Sequence, residues 1–278
     1  MNQTKQNSII TYIGQNPGLS TAIFVGVHGN EPCGIRAIEN FFKHNSIENG
    51  TVIVVFANPH AIEKNVRFTE FNLNRAFKNI DEYPDEIKST YEVQRAQELK
   101  KILEDVDVLL DIHSSTSIES EPFVICEQNA MTYVNAFPES FSKVVSGFDN
   151  LQPGGTDWYM NSVGKVGICI ECGFHTDKEA VINAEQAIGA FLVSLGHIIG
   201  ESVINTNRTY IQMSEMYCCQ TNHCAPVKNF ADFEIIPAHS VIALDGNTEV
   251  SRDWDSVILF ARKCEKIGDE VFLLGQIQ

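Results

Sequence analysis

A histidine and a carboxylate stand three residues apart in the segment from His28 to Glu31, and a second histidine, His113, lies far along the chain. Zinc accepts both imidazole nitrogen and carboxylate oxygen, and a catalytic zinc site uses three protein ligands and keeps a position for water. His28, Glu31 and His113 are therefore our candidate metal ligands. The short spacing alone is weak evidence, since unrelated turn residues can share it.

Apolar runs and helical periodicity surround these residues. Four runs predict core strands of a mixed or parallel sheet, because strands buried on both faces are continuously apolar. The runs are 21–27, 51–57, 106–112 and 166–172. Apolar spacing with capping signals predicts helices between them. The helices are 31–44, 89–105 and 176–199, the last opening on Thr176. Strands that alternate with helices predict an α/β fold.

The candidate ligands follow the ends of two predicted strands. His28 and Glu31 come after the first strand, and His113 lies at the tip of the third. Open α/β sheets bind ligands beyond the carboxyl ends of their strands, so we expect these side chains at one sheet edge. Asp111 points the same way as His113 by β alternation. It could orient a ligand or stabilise a neighbouring loop.

The loop after the second strand, residues 57–77, holds Arg67, Asn72, Asn74 and Arg75. Guanidinium groups bind carboxylates in a bidentate geometry, so this loop is a candidate anion site. A solvated loop is the alternative. The chain has 20 basic and 36 acidic residues, and its formal net charge is −16. With so few basic residues, we interpret the arginines as functional.

Glu171 lies inside the fourth apolar run. Buried carboxylates are rare without a partner. Such a group can take a proton from water and return it to a leaving amine. The alternative is a carboxylate satisfied by backbone groups or by an arginine. We interpret His175, four residues later, as structural or solvent-facing.

The sequence changes character after about residue 204. Short β-type runs at 240–245, 256–261 and 270–277 are separated by turn residues. We therefore predict a catalytic α/β domain over 1–204 and a small β domain over 205–278.

The composition limits the partners. A surface this acidic repels nucleic acid and anionic lipid. The chain has no apolar stretch of membrane-spanning length, and its first ten residues lack the pattern of a signal peptide. We expect a cytoplasmic protein with eight free cysteines. A homo-oligomer is compatible with the sequence.

Four motifs in order resemble the succinylglutamate desuccinylase/aspartoacylase family, which is related to the zinc carboxypeptidases. They are HGNEP (28–32), NP-x7-RF-x5-NR-x-F (58–77), DIH (111–113) and IECG (170–173). The resemblance implies a three-layer α/β/α zinc-carboxypeptidase-like domain with a mixed, mostly parallel sheet. It also implies a small C-terminal β domain that shapes the active-site entrance, and one Zn²⁺ per chain at His28, Glu31 and His113.

The resemblance also implies roles for the other site residues. Arg67 would polarise the scissile carbonyl, and Asn74 with Arg75 would hold a substrate carboxylate. Glu171 would be the general acid/base. The implied reaction is hydrolysis of a small anionic N-acyl amino acid, such as N-acetylaspartate or N-succinylglutamate.

The chain departs from the family in two places. Asn72 stands where the family commonly has aspartate, which affects loop packing or substrate choice. The C-terminal tyrosine that aspartoacylase uses against its substrate has no match, since Tyr210 and Tyr217 lie in no recognisable motif.

Three questions stay open at this level. A zinc carboxypeptidase acting on short peptides would use the same metal and carboxylate clamp. A non-catalytic metal protein is suggested by the group Cys218, Cys219, His223 and Cys224, although its spacing is unlike a usual zinc site. The segment 152–158 contains two glycines and would form either an active-site loop or an ordinary turn.

Overall fold

The structure is a computed structural model that describes residues 2–6 and 8–278. Met1 and Asn7, which belong to the leading segment assessed for an export signal, lie outside the described residues. The strands are β1 (Asn2–Gln6), β2 (Ile9–Ile13), β3 (Asn16–Val25), β4 (Asn49–Phe56), β5 (Val108–Ser115), β6 (Phe123–Cys126), β7 (Lys143–Ser146), β8 (Val166–Phe174), β9 (Thr209–Cys218), β10 (Cys224–Pro226), β11 (Ile235–Ile236), β12 (Val241–Asp245), β13 (Thr248–Ser251), β14 (Ser256–Leu259) and β15 (Glu270–Ile277).

Helices connect most of the early strands. The α-helices are α1 (Cys33–His44), α2 (Pro59–Lys64), α3 (Asp85–Lys88), α4 (Tyr91–Glu104), α5 (Met131–Val134), α6 (Phe148–Leu151), α7 (Thr156–Ser162) and α8 (Lys178–Ser194). Short 3-10 turns lie at Leu73–Arg75, Ile80–Glu82 and Gln128–Ala130. All four predicted core strands are present, as β3, β4, β5 and β8.

One twelve-stranded sheet organises the chain, in the order β1-β2-β4-β3-β5-β8-β6-β7-β9-β15-β14-β11. The strands β4, β3, β5 and β8 run parallel to one another. On either side of this parallel core, β2 is antiparallel to β4 and β6 is antiparallel to β8. The prediction of a mixed α/β sheet is confirmed.

Alternate residues of β3 face two different helical layers. Ile23 and Val25 belong to a core that includes residues of α1 and α8. Ala22 and Phe24 belong to a second core, which includes residues of α4. Because successive side chains of a strand point to opposite faces, this division places helices on both sides of the sheet. The predicted α/β/α layering is confirmed.

The helix predicted over 176–199 is shorter at both ends. The side chain of Asp177, not Thr176, caps its start by accepting a hydrogen bond from the Glu179 N–H at 3.1 Å. The end is set by Gly196, whose φ of +75° reverses the chain. His197 N–H then bonds the Leu192 carbonyl at 2.9 Å, as in a glycine-terminated helix.

The last third of the chain contains the predicted β runs as β12, β14 and β15. Strands β9, β15, β14 and β11 extend the large sheet, and β10, β12 and β13 form a separate small one. Since the large sheet continues past residue 204, the division into 1–204 and 205–278 stays a prediction. Among the described residues, no helix combines the length and apolarity needed to cross a bilayer.

Candidate active site

Three side chains converge at the end of the parallel strands. His28 Nδ1 lies 2.7 Å from Glu31 Oε1, and His113 Nδ1 lies 2.9 Å from Glu31 Oε2. All three residues are buried, and one ligand atom from each lies within 4.8 Å of the others. The sequence-predicted triad is therefore brought together with two imidazole nitrogens directed at one carboxylate, a donor set that fits zinc.

The outer nitrogens of both imidazoles also have oxygen neighbours. His28 Nε2 lies 3.1 Å from Asn72 Oδ1, and His113 Nε2 lies 3.0 Å from Asp111 Oδ2. The second contact is close but is not aligned as a hydrogen bond. Such outer contacts fix the ring that presents Nδ1 to a metal. Asp111 thus lies where it can orient a ligand, and Asn72 occupies the equivalent position beside His28.

Burial and charge act in opposite directions within the triad. Burial lowers the pKa of His28 to about 4, so this imidazole is neutral at pH 7. Burial would raise the pKa of Glu31, but the two histidines outweigh it and hold the pKa well below its ordinary value. Burial would lower the pKa of His113, but the charges of Asp111 and Glu31 raise it well above the ordinary value. Two carboxylates around two imidazoles make this a favourable place for a cation.

Local chain geometry explains how His28 and Glu31 meet. The parallel register pairs Val25 of β3 with Ile112 of β5, which brings the following residues of both strands to one edge. A Cβ at Gly29 would lie 2.0 Å from the Ala61 carbonyl carbon. Only glycine therefore lets the turn after β3 lie against α2, and helix α1 begins directly after Glu31 and Pro32.

The arginine loop lies beside this triad. Arg67 Nη1 is 3.3 Å from Glu31 Oε1. Arg75 Nη1 donates a hydrogen bond of 2.7 Å to the backbone carbonyl of Asn74. Arg75 Nη2 lies 3.3 Å from Glu270 Oε1. Arg67, Asn74 and Arg75 all line the cavity that contains the triad. The predicted loop is therefore part of the site.

Glu92 on α4 anchors the same loop, and sequence reasoning missed it. Its buried carboxylate accepts hydrogen bonds from the backbone N–H groups of Thr69, Glu70 and Phe71 at 2.7–3.1 Å, and from the Thr69 hydroxyl at 2.7 Å. The sequence feature that could have indicated its role is a single glutamate on the apolar face of the amphipathic helix α4. Glu92 therefore fixes the backbone between Arg67 and Arg75.

Glu171 lines the same cavity from β8, in register with His113 of the neighbouring strand. Its carboxyl oxygen Oε2 is buried and has no hydrogen-bond partner in the described part of the chain. Burial, and then the charge of Glu31, raise the pKa of Glu171 well above its ordinary value. A carboxyl group in this state can hold a proton and exchange it with a ligand in the cavity. His175 lies nearby, where its Nδ1 is 2.9 Å from Ser114 Oγ.

The C-terminal strands close one side of the cavity. Phe230, Phe260, Arg262 and Glu270 line it, whereas Tyr210 and Tyr217 do not. Tyr217 instead donates a hydrogen bond to Asp245 at 2.9 Å. The segment 152–158 also lines the cavity, through Gln152, Gly155, Asp157 and Trp158. Residues 152–155 are a loop beside the cavity, and residues 156–158 are the first turn of α7, so the segment is an active-site element that is only partly a loop.

The cysteine-rich group is only partly assembled. Cys219 and Cys224 are buried together near Asp245, whereas His223 is exposed. The Asp245 carboxylate already accepts four hydrogen bonds, from Tyr217, Gln220 and Thr221. This carboxylate is satisfied without a metal, and the thiols belong to the apolar core of the C-terminal strands. All eight cysteines are free thiols, as predicted.

The three-layer fold and the His-Glu-His cluster at its sheet edge define a class of α/β protein with a candidate metal centre. A family profile, the succinylglutamate desuccinylase/aspartoacylase catalytic domain, matches residues 17–189, which is more than half of the chain. The chain belongs to this family, and the family resemblance is confirmed.

Individual relatives cover less of the protein. The chain is 38% identical over 112 residues to an aspartoacylase of Xenopus tropicalis, which is 37% of this chain and 36% of that protein. An N-acyl-aromatic-L-amino acid amidohydrolase of Rattus norvegicus is 29% identical over 195 residues, 62% of this chain and 57% of that protein. The chain thus spans about a third of the aspartoacylase and over half of the amidohydrolase.

The fold likeness extends over nearly the whole chain. A succinylglutamate desuccinylase from Vibrio cholerae has a TM-score of 0.82 at 17% identity and covers 98% of this chain and 86% of that one. At this identity the likeness shows the fold alone. It includes the C-terminal strands, which lie outside the segment matched by the family profile.

Proposed function

We propose that this protein is a zinc-dependent hydrolase that cleaves the amide bond of a small N-acyl amino acid. The observation that carries the proposal is one cavity that holds three kinds of group. It contains the His28-Glu31-His113 cluster, the unpartnered carboxyl group of Glu171, and the guanidinium groups of Arg67 and Arg75. The names of the aspartoacylase and amidohydrolase relatives support the same reaction class.

Zinc is the ion we assign to the cluster. Two imidazoles and one carboxylate would hold it, and Asn72 and Asp111 would orient the two rings. When bound, such an ion supplies the Lewis acidity that amide hydrolysis needs at neutral pH. The same donor set accepts other divalent ions, so zinc rather than cobalt or manganese is part of the proposal.

Glu171 carries the proton in this mechanism. The attacking water loses a proton to the carboxylate as its oxygen bonds the amide carbon. The carboxyl group then gives that proton to the departing nitrogen as the C–N bond breaks. A single group can serve both steps because burial raises its pKa, which makes the carboxylate a stronger base toward water and keeps the accepted proton on the group until the amine departs.

The arginine loop orients the substrate. Arg67, beside Glu31, can donate hydrogen bonds to the carbonyl oxygen as negative charge develops there, a contribution worth about 3–4 kcal/mol per donor. Asn74 and Arg75 hold the carboxylate of the amino acid. This assignment explains why a chain with a net charge of −16 gathers guanidinium groups in one cavity.

A hydrolysis screen tests the proposal. Zinc-loaded protein is incubated with N-acetyl, N-formyl and N-succinyl amino acids and with short peptides, and released amine is quantified. We expect turnover of at least one N-acyl amino acid and little release from peptides, because Phe230 and Phe260 close one side of the cavity. Preferential cleavage of peptides would favour the carboxypeptidase alternative, and inertness toward every compound would contradict the proposal. The cytoplasmic location and the oligomeric state stay predictions.

A further inference from the structure

The guanidinium group of Arg75 already contacts a carboxylate of the chain itself. Arg75 Nη2 lies 3.3 Å from Glu270 Oε1 and 3.4 Å from Glu270 Oε2. Glu270 is the first residue of β15, so it reaches the cavity from the C-terminal strands. The proposed function assigns this same guanidinium group to the substrate carboxylate. The Glu270 carboxylate and the substrate carboxylate would therefore compete for the same guanidinium group.

Two further donors hold Glu270 in this position. Gln152 Nε2 donates to Glu270 Oε2 at 2.9 Å, and Arg262 Nη2 lies 3.4 Å from the same oxygen. With its oxygens engaged by an amide and two guanidinium groups, Glu270 is poorly placed to bind a cationic part of a substrate. The cluster of Arg75, Arg262 and Glu270 carries a net charge of +1, which favours the arrival of another anion.

The contact can open without disturbing the fold. The side chain of Glu270 is 29% exposed and that of Arg75 is 23% exposed, so water reaches the pair. The backbone of Glu270 is held separately, since its carbonyl accepts a hydrogen bond from Arg262 Nε at 2.8 Å. Rotation of the carboxylate would leave β15 in place and would free the Nη2 groups of Arg75 and Arg262.

We infer that Glu270 is a tethered competitor for the substrate carboxylate and sets the affinity of the site for anionic ligands. This inference rests on the proposed role of Arg75. A ligand must displace the Glu270 carboxylate before it can bind the Arg75 guanidinium group. Anions that bind this group more weakly than Glu270 does are therefore kept out of the site. Displacement frees one Nη2 donor on each of two guanidinium groups, which suits a ligand with two carboxylates better than a ligand with one.

Calorimetric binding of succinate, without turnover, tests the inference. In Glu270→Gln we expect succinate to bind about tenfold more tightly than in the wild type, since a hydrogen bond to a charged group is worth about 1.5 kcal/mol and about 1.4 kcal/mol is a factor of ten in affinity. The affinity for the uncharged analogue succinamide should be the same in Glu270→Gln and in the wild type. Glu249→Gln is the matched control, because Glu249 is an exposed acid on β13 and its loss alters net charge equally.

A second background locates the effect at Arg75. In Arg75→Gln, the additional Glu270→Gln change should tighten succinate binding much less than it does in the wild type, since only Arg262 remains for the two carboxylates to share. Weaker succinate binding in Glu270→Gln would mean that Glu270 organises the arginines, and unchanged binding would mean no competition; either result overturns the inference. Failure of the hydrolysis screen with tighter binding in Glu270→Gln would instead remove the proposed reaction and leave the competition standing.

Discussion

Two carboxylates of the site lie in opposite electrical environments. Glu31 contacts His28, His113 and Arg67, and its pKa is held low. Glu171 has one oxygen with no partner, and burial raises its pKa. Neighbouring acids whose pKa values are driven apart are typical of sites that use one as a fixed charge and the other as a proton carrier.

Replacement of Glu171 by glutamine separates these roles. Glu171→Gln keeps the size of the side chain but cannot carry a proton, so we expect turnover to fall by a factor of about 100 to 10,000. Metal content, measured by elemental analysis, should stay equal to that of the wild type. Glu179→Gln, an exposed acid at the start of α8, is the control and should keep full activity. Near-normal turnover in Glu171→Gln would contradict the assigned role.

At this scale the sequence predicts which residues lie together, while their roles stay predictions. His28 and Glu31 follow the strongly apolar strand β3 and His113 lies near the end of β5, so the parallel topology brings them to one edge. Glu270 is not predictable, because its contact with Arg75 spans 195 residues and depends on how β15 joins the sheet.

The loop between α2 and α3 is the element that presents the arginines. It contains little regular structure of its own, and Glu92 fixes its middle through backbone hydrogen bonds. Burial would raise the pKa of Glu92, but the hydrogen bonds from Thr69 and Phe71 outweigh it and lower the pKa. The ionised carboxylate is thus the form that stabilises the loop.

Glu92→Gln tests this anchor. An amide replaces one acceptor oxygen and leaves buried N–H groups unpaired, so we expect a loss of about 1–3 kcal/mol in the free energy of unfolding at pH 7. Urea denaturation measures this loss. Glu98→Gln, on the exposed face of the same helix, is the control and should change stability by less than about 0.5 kcal/mol.

The pH dependence of this loss has a definite sign. The folded pKa of Glu92 lies below its unfolded value, so its contribution is complete above the unfolded pKa of about 4.3 and disappears as pH falls through the folded pKa. The difference between wild type and Glu92→Gln should therefore shrink under acid. A difference that grows on acidification would contradict the anchoring role.

The elements themselves were predictable to different degrees. The long apolar strands and the helices α1, α4 and α8 follow directly from periodicity. The cap at Asp177 was missed because Thr176 and Asp177 are both good capping residues, and only the backbone geometry selects between them. The short strands β6 and β7 were missed because four residues carry too little periodic signal.

At the scale of the whole molecule, a continuous sheet connects the two ends of the chain. Strand β9 pairs with β7 and β15, so the C-terminal strands are joined through β7 to the earlier strands of the sheet. This junction brings Arg262 and Glu270 into the cavity. Long-range pairing of this kind depends on the complete topology, which explains why the sequence indicated a separate β domain but not which of its residues reach the site.

We propose that one metal ion at His28, Glu31 and His113 makes this chain a hydrolase. The most direct test of this proposal is a titration of zinc into chelator-stripped protein, with the rate of amine release from the best N-acyl amino acid as the readout. We expect no rate without metal, a linear rise that ends at one equivalent of zinc per chain, and no response in His113→Ala. A rate that is independent of added metal, or an equal response in His113→Ala, would contradict the account.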